Sequence, residues 1–158
     1  MSESVKNQIA ENMRFYASMR FKVLTLFLAG LTLVGAGIGQ YGLDELVPGF
    51  LVQQALAIAG ALLTAVMWVM EVHYTLYWVA QHNKWPEACP QYKNKKFRQL
   101  NATNSVLMMH LVTYSFFLWL GYKWDLSIYV LMVLGALGLL VLVSTIANYL
   151  KLWSYNVP

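Results

Sequence analysis

Charge is what this chain has least of. Only 11% of its 158 residues are Asp, Glu, Lys or Arg, while 59% are hydrophobic. So little polar material cannot coat a soluble domain of this size, and the composition places the chain in a bilayer. Cysteine is nearly absent: the single Cys89 excludes an internal disulfide framework, and no CxxC-type spacing offers a metal site. Proline is sparse, and Pro48, Pro86 and Pro90 fall in breaks between apolar runs. No nucleophile-base constellation, glycine-rich phosphate loop or metal-ligand cluster occurs, so the sequence supports neither enzymatic catalysis nor a metal site. A cleavable signal peptide is not expected either, because the first 22 residues carry charges and the first apolar run is flanked like a true span.

What is present is an all-α pattern of four long apolar stretches. Val23 to Gln40 has no charged residue and extends far enough to cross most of a hydrocarbon core. Leu51 to Met70 is the second span, Ser105 to Tyr122 the third and Leu126 to Leu150 the fourth. Ahead of them, Val5, Ile9, Met13, Tyr16 and Met19 recur at spacings of three and four, opposite Lys6, Glu11 and Arg14. This predicts a short amphipathic helix within residues 1–22, lying on the membrane or packed beneath the bundle. Small residues mark two packing faces: Gly35 and Gly39 form a GxxxG pattern, and Ala57, Ala61 and Ala65 fall on one face of the second span. The expected organisation is a helix over 1–22, a first hairpin over 23–80, a basic loop over 81–104, a second hairpin over 105–150 and a tail over 151–158.

The distribution of cations explains the net charge of +4 without invoking nucleic acid. Lys6, Arg14, Arg20, Lys22, Lys84, Lys93, Lys95, Lys96, Arg98 and Lys151 fall on one side of a four-span layout, and Lys123 alone on the other. The positive-inside rule then predicts that both termini are cytoplasmic. The same cations, notably Arg14, Arg20, Lys93, Lys95, Lys96 and Arg98, are candidates for contact with anionic lipid or a cytosolic partner.

A shift of 75 residues lays Gly60-Ala-Leu on Gly135-Ala-Leu, Val66 on Val141, Tyr74 on Tyr149 and Trp78 on Trp153, six identities in nineteen positions. Arg20-Phe-Lys-Val-Leu24 similarly parallels Lys96-Phe-Arg-Gln-Leu100. Two hairpins of the same orientation, related by duplication, are the expectation.

Three ionisable residues near the membrane interior are functional candidates by default: Glu71 and His73 at the exit of the second span, and His110 inside the third. All three could converge at similar depth. The alternative is that Glu71 and His73 are hydrated or paired with the basic loop, with His110 bonded to a neighbouring helix. Two histidines on adjacent helices also raise a b-type haem held by His73 and His110, but the sequence offers no small-residue pocket beside His110, and no cofactor is expected.

The entry Glu11-Asn-Met-Arg-Phe-Tyr-Ala-Ser-Met-Arg-Phe-Lys22, together with the exit Met70-Glu-Val-His-Tyr-Thr-Leu-Tyr-Trp78, resembles small bacterial membrane proteins of the SLATT type. Those are two-span modules thought to act as pore-forming effectors in nucleotide-signalled antiviral systems. The resemblance covers about half of the chain. It implies an inner-membrane, homo-oligomeric pore in defence, although this chain has four spans and no recognisable sensor domain. A non-conducting anchor for a cytosolic partner, and a small dimeric transporter, are the competing expectations.

Overall fold

The computed structural model describes residues 2–41, 50–84 and 96–154. These form four α-helices: α1 (Glu3–Tyr41), α2 (Phe50–Lys84), α3 (Lys96–Lys123) and α4 (Ile128–Ser154). No proline falls within these bounds, so nothing removes a rung of the hydrogen-bond ladder. Each helix contains a segment long and apolar enough to cross a membrane, which makes this a multi-pass, all-helical membrane protein.

Side-chain contacts define the topology. Arg20 meets Glu71 and Tyr16 meets Tyr77, while further along Leu63 packs over Gly30 and Leu56 over Gly37. Residue numbers that rise in α1 fall in α2, so the pair is antiparallel. The same reasoning applies to α2 and α3, where Gly60 meets Phe117 and Gln54 reaches Trp124, and to α3 and α4, where Gly121 meets Leu131 and Tyr114 meets Gly138. The bundle is therefore up-down-up-down, with the starts of α1 and α3 and the ends of α2 and α4 at one end.

The hub is α2. It packs against each of the other helices, and 44% of its apolar window is buried, against 11% for α1 and for α4. Its small residues explain this position: Ala57, Ala61 and Ala65 are buried with Tyr114, Phe117, Leu120 and Leu134 in a single apolar core. Gly60 matters most, because the Phe117 ring occupies the space where a Cβ would stand. Gly138 does the same for the Tyr114 ring, whose hydroxyl then donates to the Leu134 carbonyl at 2.6 Å. Small residues thus let backbones approach where no hydrophobic force draws helices together in lipid.

Two expectations about boundaries change. The amphipathic segment over 1–22 is not a separate helix, because α1 runs unbroken for 39 residues, about 58 Å at 1.5 Å per residue. Its apolar positions continue the packing stripe of the span, so burying Ile9 and Met13 extends the helix pair instead of turning it onto a surface. The loop expected over 81–104 is also shorter, since α2 runs to Lys84 and α3 begins at Lys96. No proline or glycine interrupts either extension.

The turn between α3 and α4 illustrates how local chemistry closes the second hairpin. Asp125 adopts the left-handed conformation (φ 50°), the Leu126 N–H donates to the Gly121 carbonyl at 2.9 Å, and the Asp125 N–H donates to the Tyr122 carbonyl at 3.2 Å. This is a Schellman helix end, with Leu126 buried as its apolar contact. Gln54 of α2 completes it by donating to the Trp124 and Asp125 carbonyls at 3.1 and 3.2 Å. The two hairpins are nevertheless packed differently: α1 and α2 pair extensively, α3 and α4 sparingly.

Candidate functional site

The site grows out of the seam between α1 and α2. Along α1, Ile9, Met13, Tyr16, Arg20, Val23 and Phe27 alternate spacings of four and three; along α2, Ala57, Ala61, Thr64, Trp68, Glu71 and Thr75 do the same. A 3.5-residue repeat keeps one stripe of each helix on the buried side of the bundle. Most of these positions are buried apolar residues, but Arg20 and Glu71 fall on the stripes and meet.

Their contact is a short ion pair. Arg20 Nε donates to Glu71 Oε1 at 2.8 Å, and its Nη2 lies 2.7 Å from the same oxygen. Thr75, one turn along α2, donates to that oxygen at 3.4 Å. The Glu71 side chain is 7% exposed and that of Arg20 26%. An unpaired carboxylate at this depth would be costly, and the antiparallel register supplies the compensating charge. Glu71 is therefore buried and paired with Arg20 of α1. Arg20, expected to contact lipid or a partner, has its guanidinium committed to Glu71. The pairing is hidden in the sequence while residues 1–22 stand as a separate unit; the four-and-three spacing from Met13 through Arg20 to Phe27 is what puts Arg20 in the seam.

One turn deeper lies a second cluster. Trp68, Phe27, His110 and Thr64 are the largest fully buried side chains among the described residues. The His110 ring stacks on Phe27 with centroids 4.6 Å apart and planes at 18°, and Trp68 lies 6.2 Å away. His110 Nδ1 is 2.8 Å from the Val106 carbonyl, and the Thr64 hydroxyl donates to the Gly60 carbonyl at 2.7 Å. Trp68 Nε1 and His110 Nε2 are buried without a hydrogen-bond partner. Trp68, Thr64, Thr75 and Phe27 escaped the sequence reading, because hydroxyl and aromatic residues in an apolar run carry no signal until a neighbouring helix is known. The spacing of Thr64, Trp68 and Thr75 from Glu71, and of Phe27 from Arg20, by threes and fours, is the available clue.

His73 does not join these groups, which corrects the expectation of three converging ionisable residues. It is exposed, edge-on to Tyr77 at 4.6 Å and to Tyr74 at 5.8 Å, within an aromatic collar completed by Tyr16 stacked on Tyr77 at 5.3 Å. Two residues along a helix from Glu71 is about 200° around it, so a buried Glu71 turns His73 outward. The two imidazoles are thus not brought together, and the arrangement does not fit a haem held by His73 and His110. Among the described residues, no group of three or more His, Cys, Asp or Glu is placed to hold a metal ion.

The remaining candidates are dispersed. Ala57, Ala61 and Ala65 lie in the core between α2 and α3. Gly35 and Gly39 face open space among the described residues, with no atom within 4 Å of where a Cβ would stand, so the GxxxG pattern packs none of the described helices. Beside Gly35 runs an apolar groove of about 340 Å³, walled by Leu31 and Ile38 of α1 and by Val112 and Phe116 of α3. Arg14 is exposed on α1. Lys96 and Arg98 fall in the first turn of α3, while Lys93 and Lys95 lie outside the described residues.

Fold and site together define a multi-pass helical membrane protein with an ion pair buried where its first two helices meet. Compared with family models, curated proteins and solved structures, the chain matches none of them.

Proposed function

We propose that this protein is a homo-oligomeric pore of the bacterial inner membrane, with both termini cytoplasmic, and that opening is governed where Arg20 meets Glu71. The observation that carries the reading is the polar stripe of α2: Thr64, Trp68, Glu71 and Thr75, with Arg20 and His110 opposite, form a run of hydrogen-bonding groups inside an apolar bundle. Polar side chains are expensive in a membrane interior and mark functional paths there. The interior of one copy is filled by Phe27, Trp68 and His110, so conduction would run between copies or require separation of α1 from α2. The face carrying Gly35 and Gly39 is the natural contact for another copy, and the predominance of apolar residues favours a hydrophobic gate over a charged filter. The SLATT-like layout adds a defence context in which a cytosolic trigger acts on the cation-rich end.

Reconstitution into liposomes tests this directly. Wild-type protein should release a small fluorescent dye or pass current, and Glu71→Gln should change the open fraction severalfold. Absence of both leak and current across a range of protein-to-lipid ratios, voltages and pH values, from protein shown to be folded, would refute the pore.

A second reading is favoured by a different observation. Helices of 39 and 35 residues, about 58 and 52 Å long, exceed a hydrocarbon core of about 30 Å, and the excess forms a paired stalk held by Tyr16, Tyr74 and Tyr77. A stalk of this kind suits a membrane anchor that presents a docking surface to a cytosolic protein. Co-purification of a soluble partner, lost on truncation of residues 1–14 without loss of the bundle, would support it. Duplication of an ancestral hairpin remains a proposal from the sequence repeat, and the unequal pairing within the two hairpins lends it no support.

A further inference from the structure

Inside the bundle, two polar atoms on neighbouring helices lie buried without partners: Nε1 of Trp68 on α2 and Nε2 of His110 on α3. Both side chains are 1% exposed, and their ring centroids are 6.2 Å apart with planes inclined at 34°. Their chemistry is complementary. The Val106 carbonyl, 2.8 Å from Nδ1, can only accept, so Nδ1 carries the ring proton and Nε2 presents a lone pair. The indole N–H is a donor only. A buried donor and a buried acceptor that remain unpaired in an apolar interior are both costly.

We infer that Trp68 and His110 hold a single water molecule between them, which accepts from Trp68 Nε1 and donates to His110 Nε2. The surroundings select water over an ion. Phe27 covers one face of the imidazole, and the Glu71 carboxylate is already met by Arg20 and Thr75. The Thr64 hydroxyl, four residues from Trp68 on the same face of α2, gives its hydrogen to Gly60 and retains lone pairs for a third contact. Two or three partners of this kind are what a buried water needs. The consequence is that a titratable group inside the membrane, one turn deeper than the ion pair, is in contact with water. This holds whether or not copies assemble into a pore.

The test uses full-length protein in lipid bilayers, labelled with 15N at His and Trp, in a His73→Asn, His82→Asn background so that His110 is the only histidine. Magic-angle-spinning NMR should show a protonated Nδ1, a bare Nε2 and magnetisation transfer from water to both His110 and the Trp68 N–H. Trp68→Phe, with the rest of the spectrum unchanged, should cut the transfer at His110 severalfold. A His110 protonated at Nε2 alone, a direct through-bond coupling between Trp68 Nε1 and His110 Nε2, or no water transfer to either ring in the unsubstituted pair would each overturn the inference. The last comparison needs no core substitution, so misfolding of Trp68→Phe leaves it decisive.

Discussion

Breaking the Arg20–Glu71 pair one side at a time should give unequal losses, and removing both residues should restore most of the stability. Leaving one partner of a fully buried pair uncompensated costs about 3–5 kcal/mol, whereas a packed apolar pair in the same place is often neutral. Arg20→Met strands Glu71, whose side chain is 7% exposed and sits on a short stem, so the loss should approach that full figure, about 3–5 kcal/mol. Glu71→Leu strands Arg20, which is 26% exposed and can carry its guanidinium toward the interface on a long apolar stem, reducing the loss to about 1–3 kcal/mol. The double variant, Arg20→Met with Glu71→Leu, should return to within about 1 kcal/mol of wild type, a coupling of at least about 3 kcal/mol. Reversible unfolding in mixed detergent micelles, followed by circular dichroism, measures all four corners of the cycle. Losses that simply add, or a Glu71→Leu variant less stable than Arg20→Met, would show that the two side chains do not stabilise one another as their geometry requires.

Other expectations use the same assay. Gly60→Ala drives a methyl into the Phe117 ring and should cost about 1–3 kcal/mol by overpacking, while Gly35→Ala and Gly39→Ala, which meet open space, should stabilise one copy by up to about 1 kcal/mol each and alter particle size if their face joins copies. Tyr114→Phe deletes the 2.6 Å bond to Leu134 and should loosen α3 from α4 by roughly 0.6–1.5 kcal/mol, seen as a lower unfolding midpoint. At the helix-end turn, Asp125→Gly should stabilise by up to about 1 kcal/mol and Asp125→Val should destabilise by about 1–2 kcal/mol, because the position is left-handed at φ 50°.

Much of the candidate site was legible one helix at a time but not across helices. Glu71 and His110 stand out as ionisable residues in apolar runs, and both are buried. Arg20 was equally visible, yet a cation beside Lys22 at the mouth of a span looks like every other positive-inside residue. Only its antiparallel register against α2 makes it the partner of Glu71. His73 misled for the opposite reason: two residues from Glu71 is close along the chain and far around a helix. Gly35 and Gly39 carry a strong packing motif that none of the described helices fills, whereas Gly60 and Gly138, outside any GxxxG pattern, admit the Phe117 and Tyr114 rings.

What the sequence alone determined is the number of apolar spans and, through its breaks, their order, because apolar composition and helix rise set what can cross a membrane. Tertiary structure decided which faces meet. It made α2 the hub, fused the amphipathic entry to the first span, paired Arg20 with Glu71 and set His110 between Phe27 and Trp68. The physical reason is that nearly every surface of these helices is apolar, so hydrophobicity does not choose among faces. That choice rests with close approach at small residues and with the few polar groups that must find a partner.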